Sequence, residues 1–99
     1  MQRGNFVTLQ LNEPKEQLWG RLLEIQPAGI TVRGFDVRLV EKFKYQFRGE
    51  PVVFPQTAFY PMHRVLRLFL DEDVGDVPSI IAAIQEVTRL DVDAILPIE

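Results

Sequence analysis

The sequence predicts an α+β fold: a strongly bent five-stranded antiparallel sheet or small open barrel over about residues 6–70, a short helix inserted between strands three and four, and a C-terminal helix at about residues 77–96. Three observations predict it. Residues 6–36 hold three apolar-patterned runs parted by turn residues. Gly20 and Gly34 fall inside or at the end of those runs, where glycine marks a sharp bend or a close backbone approach. The apolar period then lengthens to three and four at Val37–Arg48 and again after Pro78. A chain of 99 residues suits one domain with one core, because folding at this size hides roughly two thirds of the extended chain's surface.

The first strand, Phe6–Leu11, alternates with Val7, Leu9 and Leu11 on one side and Thr8 and Gln10 on the other. Asn12-Glu13-Pro14-Lys15 breaks it. The second strand, about 17–26, is apolar on both faces, with Leu18 and Leu22 on one and Trp19, Leu23 and Ile25 on the other. Such a strand is central, or is covered on its second side by a helix or a partner subunit. Gln26-Pro27-Ala28-Gly29 fits a type I turn followed by a glycine bulge, with Gly29 in the left-handed position. Strand three, Ile30–Phe35, sends Ile30 and Val32 inward and Thr31 and Arg33 outward.

From Val37 to Arg48 the spacing of Val40, Phe43 and Phe47 describes an amphipathic helix capped by Asp36 and ended near Gly49, although a strand with paired aromatics would also accept Phe43, Tyr45 and Phe47. Val52–Tyr60 and His63–Leu70 read as the last two strands. Pro55 and Pro61 cannot donate to a ladder, so these strands belong at an edge or bend there. The polar turn 71–76 leads to a helix capped by Asp76 or Ser79, with Pro78 in its first turn and Ile80, Ile81, Ile84 and Val87 as its stripe. Asp91–Leu96 adds one more helical turn, ended by Pro97. The expected core comprises Trp19, Leu22, Ile25, Ile30, Val32, Val65, Leu68, Ile81 and Ile84.

Composition narrows function. With no cysteine, disulfides and thiolate metal sites are excluded and a cytoplasmic location is the default expectation. No apolar run reaches membrane-span length and the polar N-terminal residues give no secretory signal, so no membrane partner is expected. The net charge of −3 hides a division: ten Lys or Arg face six acids through Leu70, while Arg89 alone faces eight acids from Asp71 onward. That asymmetry suits a nucleic-acid surface on the body, or an acidic tail folding over a basic face within the chain or from a neighbour.

Catalytic chemistry finds little to use. The single histidine, His63, lies in a predicted strand and the single serine, Ser79, at a helix start, so no nucleophile meets a base. Asp71, Glu72, Asp73 and Asp76 do not match a helix-loop-helix calcium loop, and no glycine loop precedes a phosphate-binding lysine. No enzyme, cofactor, metal or small-molecule substrate is expected. The remaining lead is basic: Arg33, Arg38, Lys42, Lys44 and Arg48, with Arg64 and Arg67 in the last strand, lie near Phe43, Tyr45, Phe47 and Tyr60. Cations on phosphates and rings under bases bind single-stranded nucleic acid.

The motif order resembles the Sm-like family of small bent-sheet barrels, itself SH3-like in shape. Trp19-Gly20-Arg21-Leu22 followed by Gly34-Phe35-Asp36 is similar to the family's first motif, and Phe59-Tyr60-Pro61-Met62-His63-Arg64-Val65 to its second. The resemblance implies a self-associating or ring-forming barrel pairing through the last two strands, with RNA contacts near the motif loops, where Asp36, His63 and Arg64 fall. The chain departs from the family pattern: Val37-Arg38-Leu39-Val40 stands where an asparagine is expected, a helix is inserted, and the terminal helix follows the strands. The leading expectation is a non-enzymatic, self-associating interaction module using strand edges and Phe54, Phe59 and Phe69. The alternative is RNA or single-stranded DNA binding through Arg33, Asp36, Arg38, Lys42, His63, Arg64 and Arg67.

Overall fold

The computed structural model describes residues 1–98. Strands β1 (Phe6–Leu11), β2 (Glu16–Gln26), β3 (Gly29–Asp36), β4 (Gln56–Pro61) and β5 (Val65–Leu70) form one antiparallel sheet in the order β4-β3-β2-β1-β5. β4 and β5 do not pair, so the curled sheet stays open. Helix α1 (Val40–Tyr45), flanked by 3-10 turns at Val37–Leu39 and Gln46–Arg48, is inserted between β3 and β4. Helices α2 (Ile80–Thr88) and α3 (Val92–Ile95) close the chain. No helix among the described residues is long and apolar enough to cross a membrane.

Glycine permits the curl. Gly20 and Gly34 are direct partners across β2 and β3, and a Cβ on Gly34 would lie 2.1 Å from the Trp19 carbonyl oxygen, one on Gly20 2.2 Å from that of Arg33. Only the absence of a side chain lets the ribbons approach so closely.

The sheet has two cores where the sequence suggested one. Its concave face buries Val7, Leu9, Leu11, Leu22, Ile30 and Val32, joined by Leu18, Tyr60, Met62, Val65 and Leu68. Its other face packs Trp19 and Phe35 beneath Phe43 of α1, Val53, Ile84 of α2, and Ile95 and Leu96. This explains the two-sided β2: helices cover its second face. Trp19 stacks on Phe6 at 5.4 Å and meets Phe35 edge-on at 5.5 Å, geometries worth about 0.5–1.5 kcal/mol per pair beyond area burial.

Several expectations are corrected. Ile25 is 47% exposed; the register shift between Leu22 and Glu24 takes it off the Trp19 face and sets it opposite Ile30, close to the end of β2. Gly29 does not adopt a left-handed φ. It directly follows the two-residue turn Pro27-Ala28 and is required by crowding, since a Cβ there would lie 2.3 Å from the Tyr60 carbonyl oxygen and 2.5 Å from the Phe59 ring. Residues 52–55 are not strand. Gln46 holds them as a loop, its side-chain amide donating to the Val53 carbonyl and its Oε1 accepting the N–H groups of Val52 and Val53. His63 lies in a 3-10 turn, Met62–Arg64, rather than in β5. Ser79, not Asp76, caps α2 by accepting from the Ala82 N–H, and Pro78 precedes the cap instead of entering the first turn. Asp36 does cap the inserted helical segment, accepting from the Arg38 N–H.

Candidate functional site

The two outermost strands lie at opposite margins of the sheet, and each presents an exposed phenylalanine. On β4, Phe59 is 47% exposed, its ring leaning over Gly29, and Phe54, just before the strand, is 67% exposed. On β5, Phe69 is 44% exposed beside exposed Leu66 and Leu70. All three phenylalanines read as edge candidates thus remain at the surface. One margin of each strand carries backbone groups without a neighbouring strand, a template for further pairing.

The seven residues assigned to nucleic acid are spread over β3, the 3-10 turn Val37–Leu39, α1, the 3-10 turn Met62–Arg64 and β5. Arg33 on β3 and Arg67 on β5 are separated by β2 and β1, about 14 Å at ordinary strand spacing, and sit at different levels of the sheet, opposite Arg21 and Gln10 respectively. Arg33 donates to the Thr57 hydroxyl at 3.2 Å, while its Nε is buried without a partner among the described residues. Asp36 and Arg38 are engaged with each other, Arg38 Nε and Nη2 donating to the two carboxylate oxygens at 3.0 and 2.9 Å. Those hydrogen bonds hold the Asp36 carboxyl below its ordinary pKa and raise Arg38 in return. Arg64 is a strut: its guanidinium donates to the carbonyls of Asn12 and Pro14 and to Glu16, fixing the β1–β2 loop. Lys42 and His63 are exposed on α1 and the 3-10 turn, and Arg67 is exposed on β5.

The acidic turn is likewise occupied. Asp71 accepts the N–H groups of Ile80 and Ile81 and the Trp19 indole N–H, and Asp73 accepts the Ser79 N–H. These carboxylates seat α2 on the sheet. Among the described residues no three His, Asp or Glu side chains gather as a metal site.

Two shallow depressions lie near these groups. One of about 470 Å³ runs between Gln10, Asn12, Lys15, Gln17 and the Asp36–Arg38 pair; another of about 300 Å³ lies between Leu18, Leu39, Phe54, Ala58 and Tyr60, beside β4. The first holds the Asp36–Arg38 ion pair together with Lys15 and Glu16, and the second mixes apolar groups with Gln56 and Tyr60.

The residue that sequence reading missed is Arg21. It is buried on the helix-covered face, where its guanidinium lies 4.7 Å from the Phe6 ring centroid and donates to the carbonyls of Gly4 and Leu96 and to Asp93. Its only sequence signal was its position between Trp19 and Leu23 on the apolar second face of β2. No protein-family model, curated protein or solved structure matches this chain.

Proposed function

We propose that this chain is a non-enzymatic, self-associating interaction module that joins copies of itself through open strand edges. The observation that carries the reading is the open sheet, ending at each margin on a strand paired along one side only and carrying an exposed phenylalanine, Phe59 or Phe69. Added strands would cover apolar surface and pair the marginal backbone groups together. Static light scattering is the test. Assembly at high micromolar concentration, weakened by Phe59→Lys or Phe69→Lys, supports the reading; a strict monomer at that concentration overturns it.

The competing reading, binding of RNA or single-stranded DNA, draws less support. Of its five cations, Arg64 is committed to the β1–β2 loop, Arg38 to Asp36, and Arg33 to Thr57, leaving Lys42 and Arg67 on different elements. It would be revived by binding that weakens steeply with salt and is lost on combining Lys42→Ala with Arg67→Ala.

A further inference from the structure

The two margins are not equivalent, and the difference selects a partner. We infer that two copies of this chain join through β4, strand against strand and antiparallel, about a two-fold axis at Ala58. The inference rests on the self-association proposed above and gives it an edge and a register.

β5 is blunted. Its register with β1 jumps between Gln10 and Leu11, from Arg67 to Val65, so Leu66 is left bulged, and Arg67 places a charge in mid-strand. A bulge and a charge are two of the devices that keep an edge strand from pairing. β4 has neither. It pairs with β3 without a shift from Gly34 opposite Gln56 to Gly29 opposite Pro61, and no Asp, Glu, Lys or Arg occurs from Pro51 to Met62. An uncharged edge meets its own copy without repulsion.

The backbone phase of β4 sets the register. Met62 donates its N–H to the Ala28 carbonyl at 2.9 Å, extending the β3–β4 ladder by one pair. Antiparallel alternation therefore turns Gln56, Ala58 and Tyr60 toward β3, and Thr57 and Phe59 outward. The next positions in the outward phase, Pro55 and Pro61, have no N–H. The outward donors are thus confined to a short window bracketed by prolines.

Pairing Thr57 with Phe59 of the second copy, and Phe59 with its Thr57, gives each outward N–H a carbonyl from within that window and asks nothing of either proline. The axis then passes between the two Ala58 residues. They form a non-hydrogen-bonded pair, the arrangement that brings backbones closest, with Cα atoms about 4.5 Å apart, and alanine fits that approach. The association closes at two subunits and continues the sheet from one copy into the other.

The native chain lacks cysteine, so a single introduced thiol reports its own neighbourhood. A Cα separation near 4.5 Å lies within disulfide range, so Ala58→Cys is expected to form a covalent dimer under mild oxidation, much faster than Thr57→Cys, Phe59→Cys or Leu68→Cys on β5. Thr57→Pro, which removes an outward donor from each copy, is expected to weaken the dimer roughly tenfold or more while circular dichroism shows the fold retained. Faster cross-linking at Thr57→Cys or Phe59→Cys would overturn the axis at Ala58. Assembly seen by light scattering without cross-linking at residues 57–59, or with Ala58→Cys joining Leu68→Cys in a mixture, would overturn β4 self-pairing and leave self-association standing. A strict monomer would remove both.

Discussion

The indole N–H of Trp19 donates to the Asp71 carboxylate at 3.0 Å, and that carboxylate also accepts the Ile80 and Ile81 N–H groups at 2.8 and 2.9 Å. One side chain thereby ties the centre of the sheet to the first turn of α2. The helix start is favourable ground for a carboxylate, because its leading N–H groups have no partners within the helix.

Replacing Asp71 with Ala leaves three part-buried donors unpaired and is expected to remove about 3 kcal/mol of stability. Asp71→Asn keeps one acceptor oxygen and should fall between the two. Urea unfolding followed by fluorescence of Trp19, the single tryptophan, measures both; an Ala variant as stable as the parent would show the bridge to be incidental.

Glycine positions should separate sharply. Gly34→Ala would push a Cβ against the Trp19 carbonyl and the Gly20 backbone, neither of which can move aside, so it is expected to lose about 3 kcal/mol or more. Gly49→Ala adds a Cβ that meets nothing within 4 Å and should change stability by less than about 1 kcal/mol. Thermal unfolding of the two variants makes the comparison, and similar melting temperatures would refute the close-approach account of the bend.

Arg21 and Asp93 are partners of unequal weight. Asp93 has a side chain 69% exposed, so Asp93→Ala should cost less than about 1 kcal/mol. Arg21→Ala removes a buried guanidinium from the Gly4 and Leu96 carbonyls and from Phe6, with an expected loss of about 3 kcal/mol. Denaturation of both variants distinguishes a buried anchor from a simple surface ion pair, which would give equal small losses.

Tyr60 supplies a pH dependence. Burial raises its phenol above 10.0, the Glu16 carboxylate adds to the shift, and Arg64 opposes it. A raised value means that the neutral phenol is favoured in the folded state. The corresponding stability is present in full below about pH 10 and is lost as pH rises through the folded value. Absorbance titration should show a phenol ionising late that Tyr60→Phe abolishes, and the variant's stability should fall less above pH 10. An unchanged alkaline profile would exclude the effect.

Much of the fold was legible because periodicity and turn chemistry agree. Phe6–Leu11 alternates and is half-buried, Gly20 and Gly34 mark a close backbone approach that the structure contains, and Phe43 and Ile84 face the core from their helices. The misreadings share a cause: they depend on partners distant in sequence. Ile25 changes face through a register shift that only the pairing of β2 with β3 defines. Val52 and Phe54 are β-formers by type, yet Gln46 claims the backbone beside them. Arg64 resembles a binding cation until Asn12, Pro14 and Glu16 are brought beside it by the fold. The open margins were anticipated from Pro55 and Pro61, but the contrast between them depends on the bulge at Leu66, which alternation within β5 does not reveal.

The pinch at Gly20 and Gly34 lies in a layer one backbone thick that parts the two apolar compartments. A void opened beside Leu9 has that layer between it and one opened beside Ile84, so losses from substitutions on opposite sides should simply sum, as they do for well-separated sites. Evolution and engineering can therefore retune either compartment alone.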